Sequence, residues 1–141
     1  MKTGSYRFTA PTADIGLAVR APDRRGLFVQ AFRGTLHLAL GYSPAPQIGK
    51  TGALPVRFSG DGYENLLVLL LSDLIYRLDT DSLLPADLRV TGLDSGQFSG
   101  MITQIPRVGC LARAIKAVTY HGLKIRKQPA GGYAARIIFD V

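Results

Sequence analysis

The stretch "ENLLVLLLSDLIYRL" at 64–78 constrains the fold more than any other part of the chain. Leu67, Leu70, Leu71, Leu74, Ile75 and Leu78 recur at three- and four-residue spacing, so one face of a helix is continuously apolar. Asp73 and Arg77 fall outward at i,i+4, where opposite charges attract. Asp61-Gly62-Tyr63-Glu64 has the acid-x-x-Glu spacing of a capping box before it, and Asp79-Thr80-Asp81 reads as the closing turn. The unbroken apolar run, Leu66 to Leu71, stops at Ser72-Asp73. A bilayer span needs about 20 such residues, so this is a buried element and not a membrane helix.

A second helix is predicted over Arg24 to Leu40, where Phe28, Ala31, Phe32, Leu36 and Ala39 form a similar stripe. Pro22-Asp23 offers a turn and an N-cap, and Gly41 a stop. "IGLAVR" at 15–20 alternates as a first strand does, and Leu54–Ser59 reads as a second. Further strands are predicted at 87–92, 97–103, 115–127 and 133–139, with Gly131-Gly132 a hairpin signal between the last two. Two amphipathic helices must share a core with many strands. The economical arrangement is an α+β fold: a single domain over residues 1–141, with one mixed β-sheet and both helices packed on it.

Composition narrows the function. Apolar residues make up 47% and charged residues 19%, which is globular rather than disordered. "MKTGSYRFTAPT" has no apolar core of a secretory signal, and the single Cys110 excludes an internal disulfide and a multi-cysteine zinc site. A cytoplasmic location is the expectation. Seventeen Lys and Arg against ten Asp and Glu give +7, a bias that points toward nucleic acid or a partner that handles it. The charges are scattered, however, and no run reaches the length of a binding tail.

Motifs for chemistry are weak. "IGKTG" at 48–52 lacks the upstream glycine of a phosphate loop, since Pro44 holds that position, and it follows a helix instead of leading into one. "GQFSG" at 96–100 does not match a nucleophile elbow. Cys110 beside Val108 and Leu111 reads as a small buried hydrophobe, and His37 and His121 are isolated. The carboxylates are more informative. Asp14 stands where a small-residue turn enters a strand, a place that disfavours Asp, and Asp140 lies beside Val141 and its terminal carboxylate. If they met, oxygen-only ligands of this sort would suit a hard cation such as calcium or magnesium. No spacing rule pairs the first and last strands.

"TADIGL" (12–17), "ENLLVLLLSDLIYRLDTDSLL" (64–84), "KAVTYHGLKI" (116–125) and "ARIIFDV" (135–141), in that order, resemble the archease family. Archeases are small cytosolic proteins that assist the RtcB-type RNA ligase. The resemblance implies one α+β domain and an acidic metal site formed by Asp14, Asp140 and an oxygen of Val141. It implies that Lys116 serves the site or the partner, and more weakly that Asp73 does. Calcium is the first expectation for the cation, with magnesium or manganese next. The implied function is non-enzymatic. The protein would promote guanylylation and repeated turnover of a ligase that joins RNA ends in tRNA splicing or RNA repair, meeting RNA through the ligase, with no membrane involved. A general chaperone or modulator of RNA-processing enzymes, a basic RNA-binding module and a metal-dependent hydrolase stand as alternatives, in that order. Pro11 stands where family members commonly have histidine, and residues 96–114 lack the family's usual acidic character.

Overall fold

The computed structural model describes residues 4–9, 14–43, 52–107 and 109–141. Helix α1 spans Arg24–Leu40 and α2 spans Tyr63–Thr80. The whole stripe of α1, from Phe28 to Ala39, is buried. Asp23 starts the helix as its side chain suggested: Oδ1 accepts the Gly26 N–H at 2.7 Å. Gly41 ends it at φ 83, a left-handed conformation that favours glycine, and its N–H donates to the His37 carbonyl. In α2 the leucines at 66, 67, 70, 71, 74 and 78 are buried, and Ile75 packs at the margin.

The capping box expected at 61–64 does not form. Gly62 is the N-cap and makes no side-chain cap bond. Glu64 instead reaches across the molecule, where its Oε2 accepts the Ile125 N–H at 2.9 Å. Asn65 Oδ1 takes the Asp61 N–H at 2.9 Å. The half-buried amide in a loop has no ladder partner, whereas the first turn of α2 can be satisfied by water, so the carboxylate goes to the loop.

The α+β class holds, but the strands form two antiparallel sheets where one mixed sheet was expected. The larger runs β1 (Ser5–Thr9), β2 (Ile15–Ala21), β8 (Tyr133–Asp140) and β6 (Ala117–Thr119), with β7 (Arg126–Lys127) also paired to β8. The smaller runs β3 (Gly52–Ser59), β5 (Gln97–Pro106) and β4 (Leu83–Leu93). Each sheet turns one apolar face to the helices. Leu17, Val19, Ile137 and Phe139 come from the first, and Val56, Leu88, Phe98 and Ile102 from the second, all within one continuous core. Phe98 stacks on Phe28 of α1 at 5.7 Å between ring centroids and on Phe58 at 6.0 Å, joining the small sheet to that helix.

Two strand expectations need correction. β1 precedes the strand read as the first: its five residues place Tyr6 and Phe8 toward His37 of α1, a signal too short to stand out as periodicity. The single strand expected over 115–127 is broken into β6 and β7. Between them the chain turns, with the Leu123 N–H donating to the Tyr120 carbonyl at 3.0 Å. That detour buries Leu123 and brings Ile125 to Glu64, which an unbroken strand would not do. The Gly131-Gly132 hairpin is present: both glycines have positive φ, 102 and 79, and β7 pairs with β8 across them.

Candidate functional site

The site grows from the register of β2 on β8. Seven pairs run without interruption from Ile15 opposite Phe139 to Ala21 opposite Tyr133. Side chains alternate between the faces of a strand, so Leu17, Val19, Ile137 and Phe139 enter the core while Ala18, Arg20, Arg136 and Asp140 face away. The ladder ends at Ile15–Phe139, and Asp14 and Asp140 are the residues that come next on either side of that last pair. Both side chains are exposed. On the other flank of β8, Ala117 pairs with Asp140, and the Lys116 N–H donates to the Asp140 carbonyl at 2.8 Å. Four residues separated by up to 127 positions therefore gather at one end of the larger sheet: Asp14, Lys116, Asp140 and Val141.

Asp73 does not join them by any hydrogen bond or ion pair. It lies in mid-α2, where Arg77 Nε donates to its Oδ2 at 2.7 Å, and Arg77 Nη1 reaches Asp81 at 3.2 Å. Burial disfavours charge on Arg77, but hydrogen bonding and attraction to Asp73 and then Asp81 outweigh it and hold the guanidinium above its ordinary value. The outward i,i+4 pair read from the sequence is thus the role this structure gives Asp73.

The remaining candidates fall apart. Cys110 is exposed, contrary to the buried hydrophobe expected, because its segment leaves β5 and runs along the surface toward β6. His121 is exposed in the turn after β6, and its N–H is held by Thr119 Oγ1 at 3.3 Å. His37 sits on α1, where the Tyr6 hydroxyl meets its Nδ1 at 3.0 Å. Most of "IGKTG" and all of residues 10–13, with Pro11, lie outside the described residues. Gly52 already belongs to β3, so a strand follows that motif and not the helix a phosphate loop requires.

Sequence reasoning missed what lies next to the carboxylates. Arg7 on β1 is opposite Ala18, which is opposite Arg136; Arg20 is opposite Ala134, which is opposite Arg126. The outer face of the larger sheet is consequently basic, with small residues between the cations. The i,i+2 spacing of Ala18 with Arg20 and Ala134 with Arg136 carried part of this signal.

The donor chemistry at the sheet end bears on which cation could be held there. Among the described residues no group of three or more His, Cys, Asp or Glu side chains comes together. Two exposed carboxylates and main-chain oxygen do not make a zinc site, but they fit a hard cation whose remaining positions are filled by water.

Comparison with known proteins agrees with this architecture. Residues 6–141 match the model of the archease protein family (MTH1598/TM1083). The chain is 29% identical over 140 residues to a probable protein archease of Mycobacterium tuberculosis, covering 99% of this chain and 76% of that one. Its fold is similar to the solution structure of Methanobacterium thermoautotrophicum protein 1598, with a TM-score of 0.74 and 22% identity over 96% of this chain and 98% of the other. It is also similar to the crystal structure of an archease from Thermotoga maritima described as a possible chaperone, with a TM-score of 0.64 and 19% identity over the same shares. With nearly its whole length matched, the chain belongs to the archease family.

Proposed function

We propose that this protein is a non-enzymatic cofactor of an RtcB-type RNA ligase, acting in the cytoplasm through a divalent cation held where β2 and β8 end. The observation that supports the reading most is the β2–β8 ladder, whose last pair, Ile15–Phe139, adjoins the aspartate of "TAD" on one strand and the aspartate of "IFDV" on the other. Asp14 and Asp140 would hold the cation with their carboxylates and Val141 with a main-chain oxygen. Calcium suits an all-oxygen, water-completed site, with magnesium or manganese as smaller alternatives. The bound cation supplies positive charge to phosphate or carboxylate oxygens of the ligase site. Carboxylates brought to one end of a sheet repel one another, so the pair favours any cation that neutralises it. Lys116 is exposed and its main-chain N–H donates to the Asp140 carbonyl, which keeps it beside the acidic pair; in this reading its ammonium balances that pair or meets the partner. The expected result is faster guanylylation and repeated turnover of the ligase in tRNA splicing or RNA repair.

The test is multiple-turnover ligation by the cognate ligase, with and without this protein and with Asp14→Ala. Stimulation by the wild type and none by a variant of unchanged circular dichroism is the expected outcome. Equal stimulation by both removes the carboxylate from the mechanism, and no stimulation by the wild type removes the ligase. The second reading, a general chaperone, draws on the description of the Thermotoga maritima archease as a possible chaperone. It requires this protein to suppress aggregation of unrelated RNA-processing enzymes in light-scattering assays.

A further inference from the structure

The outer face of the larger sheet carries a groove of about 610 Å³ whose lining includes Arg7, Arg20, Lys124, Arg126 and Arg136. Among the described residues no carboxylate lines it, and none of these five cations forms an ion pair. Ala18 and Ala134 form a low floor between them. The register spaces the four arginines evenly: strands lie about 4.8 Å apart and alternate residues about 7 Å along, so Arg20 and Arg136 are about 8 Å apart diagonally. β1 bounds one side of the groove, and the turn between β6 and β7 bounds the other.

From this we infer that the groove binds single-stranded RNA through its phosphate backbone. Charge complementarity selects a polyanion. A protein partner would call for a largely apolar, charge-poor centre with aromatic anchors, and this face offers five cations around alanines. Arginine forks match phosphate oxygens, and the even spacing tracks a repeating charge. The aromatic among the lining residues, Tyr6, packs its ring edge-on against Phe8 and His37, so bases are not read by stacking and recognition is independent of sequence.

The groove also has a direction. Arg136 lies over Gly16, where its guanidinium donates to Thr9 Oγ1 at 3.3 Å, and it leans toward the end where Asp14 and Asp140 stand. Asp140 is four residues beyond Arg136 on the same face of β8, about 14 Å. A single strand laid along β2 and β8, across both basic rows, would therefore bring its end to the carboxylates. The choice of RNA over another polyanion rests on the ligase reading above; the groove itself does not.

Fluorescence anisotropy of a short labelled single-stranded RNA, with the full protein, tests this. Five phosphate contacts give a slope of about −3.5 in log K against log salt, or about a hundredfold loss of affinity from about 50 to 200 mM. Arg20→Ala with Arg136→Ala is expected to weaken binding at least tenfold at low salt and to lower the slope to about −2. Arg57→Ala with Arg89→Ala, on the smaller sheet, should leave it unchanged. Circular dichroism confirms that both double variants fold. The inference is overturned if RNA does not bind at low salt, or if the Arg57/Arg89 variant weakens binding as much. It is also overturned if polyglutamate of equal charge binds more tightly and with the same dependence on Arg20 and Arg136, which would make the occupant an acidic protein. Ligase stimulation without RNA binding overturns the groove alone. RNA binding without stimulation overturns the ligase reading alone.

Discussion

The two sheets present opposite surfaces to solvent. On the larger one the ladder of β2 and β8 is unbroken over seven pairs, and its outer face gathers arginines and, at the end of β8, Asp140. On the smaller one the β4–β5 ladder shifts register twice, between Pro85 and Asp87 and between Val90 and Gly92. There the outer face alternates Arg57 and Arg89 with Pro55, Met101 and Ser99. Bulges bend a strand, which lets β4 wrap the helices, but they also re-aim its side chains. A straight ladder does the reverse: it fixes every side chain of a face at a known spacing. The regular sheet thus suits ligand-facing residues, and the bent one suits the closing of the core.

That contrast is open to attack, first where the smaller sheet is anchored. Phe98→Ala removes the ring between Phe28 and Phe58 and is expected to cost about 3–5 kcal/mol in urea unfolding. The folded fraction should bind RNA as before; a lost affinity would mean that the sheets are not separable in function. A smaller effect is expected where the larger sheet meets α1. A Cβ on Gly34 would approach Leu17 Cδ2 at 2.6 Å, and Leu17 is wholly buried, so Gly34→Ala should cost about 1–3 kcal/mol. Glu64→Ala leaves the Ile125 N–H without its acceptor. About 1–2 kcal/mol is expected, together with faster hydrogen exchange at that amide, which would loosen one rim of the basic groove.

The smallest effect concerns the bridge between α1 and β4. Arg33 Nε and Nη2 donate to Asp87 at 2.9 and 3.0 Å, and the hydrogen bond to Asp87 raises the arginine above its ordinary value despite burial. Its charge is therefore complete at and below the ordinary arginine range and is lost only in strong alkali. The Arg33 side chain is 40% exposed, so solvent screens the pair and Asp87→Asn should cost under about 1 kcal/mol. A larger loss would show the bent sheet to be held by this bridge more than by its aromatic column.

Helices were the most legible part of the sequence, because their signals are local: the α1 stripe, the Asp23 cap and the Gly41 stop all lie within a few residues of what they control. The failures came where a distant partner decided. Glu64 abandoned its own helix for Ile125, and the segment at 115–127 broke so that Leu123 could be buried. Asp14 and Asp140 stood out by residue type, yet nothing local brought them to one end of a sheet; only the β2–β8 ladder does so, by pairing their neighbours Ile15 and Phe139. The arginines looked scattered for the same reason. Arg7, Arg20, Arg126 and Arg136 are dispersed along the chain but adjacent on a face, since pairing and alternation bring them together.

The position of β8 between β2 on one side and β6 and β7 on the other has a consequence for how the molecule assembles. β8 follows all of its partners in the chain, so until it inserts, β2 has only β1 beside it, and β6 and β7 have no ladder at all. The β1–β2 hairpin can form early, but the central pairing joins residues more than a hundred positions apart. Such a topology folds slowly, since the entropy of closing the long loop is lost before the contacts reward it. During that interval two strand edges lie open to the wrong neighbour, a second copy included. Refolding should therefore be concentration-sensitive, with the final ordering of residues 133–140 as the step that closes the window.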